Sequence, residues 1–230
     1  MTLTKFGIRE WLTATVIAVA VAAVLVFCAL FFALPWLYAC CIPVFIGWVA
    51  AVGFFRNPRR KIPADASAIL SPADGTVRDI GIVDYPDAPF YGKALRIGIF
   101  LSVFNVHLNR APAKWQISAK KYRPGRYLDA RNANCAKENE AMTLGGTAEL
   151  GDKFFPMAVR QISGAIARRI VCPPEAGDTF EKGEIYGMIK FGSRTELYLP
   201  AEGFVPEVAI GDKTVAGITV MARPVQKGLE

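Results

Sequence analysis

Residues 187–200 read GMIKFGSRTELYLP. A strand-like run leads up to Phe191 and a second begins at Thr195, with Gly192, Ser193 and Arg194 between them. The same composition recurs along most of the chain. TVRDIGIV (76–83), ALRIGIFLS (94–102), WQISAKKY (115–122), FPMAVRQI (155–162), EIYGMIKF (184–191), TELYLP (195–200) and TVAGITVM (214–221) are all rich in β-branched or aromatic residues and bounded by turn formers. ARNANCAKENEAM (130–142) reads as a loop or short helix, and GAIARRIV (164–171) fits either helix or strand. The expected class is mostly β (α+β), with small helical pieces.

A weak internal rhythm refines this. AGDTFEKGEIYGMIKFG and AIGDKTVAGITVMA both run Gly-Asp, a short link, Gly, then a strand, and SPADGTV near residue 71 has the look of a strand and turn at a sandwich edge. Such patterns occur in lipoyl- and biotinyl-carrier-like domains, so a carrier-like β-sandwich or barrel is expected. The period is too irregular for a repeat fold.

The N-terminal quarter is different. From Trp11 to Phe55 there is no charged residue, and much of the 53% hydrophobic content is gathered there. The run is too long for the apolar core of a signal peptide. One helix needs about 20 residues to cross a bilayer, so the run accommodates two spans, about 11–34 and 36–55, broken at Pro35. Pro43 is a candidate kink, and Trp11, Trp36, Tyr38 and Trp48 supply candidate interface anchors. Lys5 and Arg9 precede the run, and Arg56, Arg59, Arg60 and Lys61 follow it. Basic flanks prefer the cytoplasmic side, which a hairpin satisfies at both ends. The division expected is therefore a membrane hairpin over 1–55 and a second, β-rich domain over 56–230, in the cell (inner) membrane with the domain on the cytoplasmic side.

The net charge is +7, and most of the excess lies in the second part. Tethered to a bilayer, that charge suggests anionic lipid headgroups as neighbours. No recognition helix, zinc finger or aromatic RNA-binding signature points to nucleic acid. The five cysteines show no CxxC spacing, and one histidine in the whole chain argues against a Cys/His zinc site, so no metal is expected.

Three residue types capable of joint chemistry stand out: Asp74 in SPADG, His107 in FNVHLNRAP and Ser193 in KFGSRTE. A carboxylate, an imidazole and a hydroxyl can act as orienter, base and nucleophile. Each also has a plain structural use, Asp74-Gly75 as a turn and Gly192-Ser193 as another. The G-x-S-x-G elbow of α/β-hydrolases is absent, because Phe191 and Thr195 stand where glycines are needed.

Taken together, the apolar hairpin, SPADGTV, FLSVFNVHLNRAP, QISGAIARRIV, KGEIYGMIKFGSRTELYLP and GITVMA resemble the phosphatidylserine decarboxylase proenzymes of the short bacterial and archaeal type. The resemblance covers nearly everything from Arg56 onward. It implies that the chain cleaves itself between Gly192 and Ser193. Ser193 Oγ attacks the Gly192 carbonyl to give an ester, elimination leaves dehydroalanine, and hydrolysis with loss of ammonia leaves a pyruvoyl group, the covalent cofactor. It implies His107 as general base, with Asp74 holding its tautomer. The pyruvoyl carbonyl would then take the serine amine of phosphatidylserine and withdraw electrons as CO₂ leaves, the part pyridoxal phosphate plays elsewhere. The product would be phosphatidylethanolamine, and the apolar hairpin would keep the enzyme at the bilayer where its substrate resides. The partners implied are the lipid and the enzyme's own two fragments as a heterodimer, with room for a homo-oligomer and no nucleic acid.

For substrate binding, Arg168 and Arg169 in ARRIV, Arg194, Asn105 and Phe104 are the candidates, with Asn139–Glu140 as weaker ones. One departure is plain. Longer members of the family carry a second histidine just before the one matched by His107, and this chain has Phe104 three positions upstream and no other histidine. Either His107 serves both cleavage and decarboxylation, or water or another side chain supplies the proton. Two readings of other classes stay open at this point. One is a membrane-tethered carrier-like adaptor using Lys190 in MIKFG. The other is a membrane-anchored serine hydrolase that keeps Ser193 as a free serine.

Overall fold

The computed structural model describes residues 2–85, 87, 89–90, 92–130, 132, 134–165, 169–190 and 192–225. They divide into two compact units, Met1–Arg59 and Arg60–Glu230. In the first, strand β1 (Thr2–Leu3) leads into helix α1 (Ile8–Phe31), which is followed by helix α2 (Cys41–Phe54) and strand β2 (Arg56–Asn57). β1 and β2 pair antiparallel, so the two ends of the apolar hairpin meet on one side. Both helices are long and apolar enough to cross a membrane, counting the short 3₁₀ turn that precedes each. Their side chains are largely exposed, as expected of helices whose solvent is lipid.

α1 stops three residues short of the expected end at residue 34. Ala33 takes a left-handed φ of 54°, and Pro35 opens a 3₁₀ turn over Pro35–Tyr38. Pro43 makes no interior kink. It falls in the first turn of α2, where a missing N–H forfeits no intrahelical bond. Trp48 stands mid-helix, and its indole N–H donates to Thr15 Oγ1 at 3.0 Å, tying α2 to α1.

The second unit holds β3 (Ile69–Leu70), β4 (Gly75–Tyr85), β5 (Gly92–Leu101), β6 (Leu108–Arg110), β7 (Lys114–Arg123), helix α3 (Cys135–Glu138), β8 (Ala141–Leu150), β9 (Lys153–Ile162), β10 (Arg169–Val171), β11 (Thr179–Phe180), β12 (Ile185–Lys190), β13 (Ser193–Pro200), β14 (Phe204–Pro206), β15 (Lys213–Thr214) and β16 (Val220–Pro224). An eight-stranded sheet runs β11-β7-β8-β9-β13-β5-β4-β15, and two three-stranded sheets run β10-β12-β6 and β14-β16-β3. The main core joins Ile97, Ile99, Leu197 and Leu199 of the large sheet to Tyr186, Ile69 and Met221 of the small ones. This is the mostly-β sandwich expected from composition.

The large sheet consists of two matching halves. From its edges inward the order is β11, β7, β8, β9 on one side and β15, β4, β5, β13 on the other. β4 carries a bulge between Val77 and Asp79, and β7 carries one between Ile117 and Ala119. At each bulge a Gly-Asp turn clips on. Gly211 N–H donates to Val77 O and Val77 N–H to Asp212 O, both at 2.9 Å, while Gly177 and Asp178 make the same two bonds to Ile117 at 2.8 Å. Six residues after each first glycine comes a second left-handed one. The φ pairs are 102° and 72° for Gly211 and Gly217, and 102° and 81° for Gly177 and Gly183. The weak rhythm in the sequence is this duplicated clip.

Two expectations change in detail. TVAGITVM is not one strand, because the left-handed turn at Gly217 separates β15 from β16. β8 was hidden by its glycines, and its first two residues fall in the segment expected to be loop or helix. Gly146 is required at the β7 bulge, where a Cβ would stand 2.0 Å from the Gln116 carbonyl oxygen.

Candidate active site

β12 belongs to a small sheet and β13 to the large one, so the chain must change sheets between Lys190 and Ser193. Such corners need a bend, and Gly192 supplies it with φ 58°. An L-residue would lose about 1–2 kcal/mol in that conformation. β13 begins at Ser193 itself, paired with Leu101, two residues earlier than composition suggests. Ser193 is 0% exposed, and its Oγ has no hydrogen-bond partner among the described residues. A buried unpartnered hydroxyl costs about 1–3 kcal/mol, so one placed at the head of a central strand calls for an explanation.

His107 is also fully buried and sits directly before β6, which pairs with β12. Ile189 N–H donates to His107 O at 3.1 Å, continuing that pairing and bringing the imidazole beside Gly192. Nδ1 lies 2.9 Å from Asn105 O, and Gly192 N–H reaches Nε2 at 3.2 Å. A carbonyl only accepts, so Nδ1 carries the proton and Nε2 presents its lone pair. The ring is thereby set as a neutral base next to the Gly192–Ser193 bond.

The orienting partner differs from the expected one. Asp74 accepts from Arg60 at 2.8 Å through Oδ2 and from Ala216 N–H at 2.8 Å through Oδ1, holding the turn between β3 and β4. It makes no hydrogen bond to His107, whose Nδ1 faces the Asn105 carbonyl instead. Asn105 acts through its backbone, while its side-chain Oδ1 accepts from Ser102 N and Ser102 Oγ at 2.9 and 2.8 Å and closes the 102–105 turn. Phe104 projects from that turn, 84% exposed.

Arg194 is not available to an incoming ligand. It points to the face opposite Ser193, donates to Glu196 and Asp79, and is 7% exposed. Burial alone would lower its pKa, but the two carboxylates outweigh that and raise it. Gly98 makes room for it, since a Cβ there would lie 2.2 Å from Arg194 Nη2. Asn139 is likewise structural: its amide bonds Leu128 N, Leu128 O and Ser163 O. Arg168 lies outside the described residues.

Two contributors were not anticipated. Gly164 leaves a slot for the Gly192 carbonyl, because a Cβ there would stand 2.2 Å from Gly192 O. The other is a cavity of ≈ 400 Å³ that Gly192 lines together with Arg78, Phe100, Ser102, Asp129 and Ala165. Competing nucleophiles recede. Burial pushes the Cys172 thiol up to about 12 and raises that of Cys135 as well. Lys190, set like a carrier lysine, is 6% exposed.

A family model described as phosphatidylserine decarboxylase matches residues 50–222. The chain belongs to the phosphatidylserine decarboxylase family. Among relatives called phosphatidylserine decarboxylase proenzyme, that of Rhodopirellula baltica is 46% identical over 172 residues, 74% of this chain and 70% of its own length. That of Carboxydothermus hydrogenoformans is 44% identical over 182 residues, 78% of this chain and 82% of its own. That of Pelobacter propionicus is 45% identical over 170 residues, 74% of each. As a phosphatidylserine decarboxylase family member the chain is an enzyme, which sets the adaptor and hydrolase readings aside. The family match takes in Asp74, His107, Gly164 and the Gly192–Ser193 junction.

Proposed function

We propose that this chain cuts itself between Gly192 and Ser193, converts Ser193 to a pyruvoyl group, and uses that group to decarboxylate phosphatidylserine to phosphatidylethanolamine. The observation that carries the proposal is Ser193, a buried hydroxyl without a partner among the described residues, directly after a left-handed glycine whose N–H is held by a neutral histidine. An orphaned nucleophile and a carbonyl seated in a slot are what self-cleavage requires of a precursor.

His107 takes the Ser193 hydroxyl proton as Oγ attacks Gly192 C, exchanging its Gly192 N–H contact for the serine. The Nδ1–H to Asn105 bond keeps that lone pair available. Gly164 leaves the Gly192 oxygen unobstructed as charge develops on it. Asp74, bonded to Arg60, keeps the β3–β4 turn in place. The pyruvoyl group supplies the electron sink for loss of CO₂. The cavity beside Gly192 admits the headgroup, with Phe104 and Asn105 on the turn that flanks it; Arg168, outside the described residues, is kept from the sequence as a candidate for binding it. His107, the sole histidine, lies within hydrogen-bond distance of Gly192 and is taken to serve in both reactions. The two apolar helices hold the enzyme in the membrane, and their basic flanks put the catalytic unit on the cytoplasmic side. The two fragments stay together as a heterodimer.

Intact-mass spectrometry of the detergent-purified protein tests this. Two chains are expected, the smaller starting at position 193 with a blocked pyruvoyl end, and Ser193→Ala should remain one inactive chain. A whole, unmodified wild-type chain that still turns over phosphatidylserine would sink the proposal.

A further inference from the structure

Arg194, one of the arginines that the sequence offers for the substrate, is locked away, and a different arginine lines the cavity. Arg78 is exposed on the wall of the ≈ 400 Å³ cavity that Gly192 also lines. It makes no hydrogen bond or ion pair among the described residues. Its guanidinium stacks over the Phe100 ring, 5.4 Å from the centroid. Phe100 is the cross-strand partner of Arg194, so the ring lies on the same face of the sheet as Arg194.

The β4 bulge explains how Arg78 gets there. Val77 pairs with Ile99 and Asp79 with Gly98, which leaves Arg78 as the extra residue. Bulges re-aim side chains, and this one turns both Arg78 and Asp79 to the face away from the core. In the matching half of the sheet the extra residue is Ser118, between Ile117 and Ala119. The bulge belongs to the scaffold, whereas the cation on it occurs only in the half that ends in Ser193.

We propose that Arg78 binds the phosphodiester of the lipid headgroup and so positions phosphatidylserine in the cavity beside Gly192, at the end of the strand that Ser193 begins. This deepens the function proposed above and rests on it. Arg78 is the only cation among the described residues lining the cavity, and a guanidinium with no carboxylate partner retains its full capacity for an anion. Stacking on Phe100 fixes it in advance. The headgroup offers two anions, and the reaction separates them. The carboxylate must give up its charge to leave as CO₂, so a cation bound to it would stabilise the starting state and slow the reaction. The phosphodiester keeps its charge throughout, so binding it is equally strong before and during reaction. The neighbouring Ala130, Ala165 and Gly192 give the carboxylate a less polar wall.

The product discriminates between the anions, because phosphatidylethanolamine retains the phosphodiester and has lost the carboxylate. Arg78→Ala and Arg78→Lys would be prepared as processed, two-chain enzyme. KM and kcat for dihexanoyl phosphatidylserine would be measured, and the affinity for dihexanoyl phosphatidylethanolamine determined by titration calorimetry. Arg78→Ala should raise KM and weaken product binding by the same factor, about ten- to a hundredfold for a lost charged hydrogen bond, with kcat changed little. Lysine should restore part of both. A raised KM with unchanged product affinity would place Arg78 on the carboxylate and overturn the proposal. So would normal values of both. Failure of the wild type to split or to turn over lipid would instead count against the function itself.

Discussion

The two strands at the centre of the large sheet are entered through junctions that share a backbone device and differ in everything else. β9 is reached from β8 through Leu150–Lys153, and β13 from β12 through Lys190–Ser193. Each junction holds a left-handed glycine, Gly151 at φ 61° and Gly192 at φ 58°. Gly151 caps an exposed hairpin with open space around it. Gly192 lies at a crossing between sheets, with its N–H on His107, its oxygen over Gly164, and a buried serine next in line. On the proposed function, a strained turn alone would be insufficient for self-cleavage. What separates the junctions is the removal of water and the presence of a base, which a tight hairpin joining neighbouring strands cannot provide.

The comparison can be broken most severely at the base. His107→Ala should slow appearance of the Ser193–Glu230 fragment by about 10²–10⁴-fold, the range typical of a lost general base. Pulse-labelled precursor followed on a denaturing gel would show it, and fragment appearing at the wild-type rate would remove His107 from the reaction.

A smaller effect is expected from the slot. Gly164→Ala places a methyl against Gly192 O, and displacement of a reacting atom by an ångström can cost about 10²-fold. The same gel reads it out. Processing at the normal rate with a lowered melting temperature would mean that Gly164 serves packing alone.

The paired glycine substitutions sharpen the contrast at the least effect. Alanine fits neither φ, and each change should destabilise the chain by about 1–2 kcal/mol. At about 2–4 °C per kcal/mol, the shift in melting midpoint in detergent is measurable for both. Only Gly192→Ala should also slow cleavage, by about tenfold, because relieving the strain swings the carbonyl away from Gly164. Equal processing in the two variants would erase the distinction between the junctions.

Composition made the two apolar helices and most long strands visible, because a long charge-free run and β-branched clusters are signals carried by local composition. β8 was missed because its packing depends on Gly146, a residue chosen for absence of bulk and silent in any propensity scale. The duplicated clip was visible as a rhythm, but its meaning depends on Val77 and Ile117, which lie far away in sequence. At the site, Ser193, Gly192 and His107 could be named from their chemistry. Asp74 and Arg194 could be named but not placed, since a carboxylate or guanidinium looks the same in sequence whether a partner has claimed it or not. Arg78 gave no signal, because a bulge is a property of strand pairing rather than of local composition.

β13 is hydrogen-bonded along both edges, to β5 on one side and β9 on the other, and its first residue is already on the ladder. Chain ends ordinarily fray, yet the end that cleavage would create here is held in register before it exists. The proposed cofactor would then need no binding pocket, no loading step and no partner to deliver it. It could also never be exchanged: a damaged copy would be lost with its protein, and the supply of active sites would be set by synthesis of new chains.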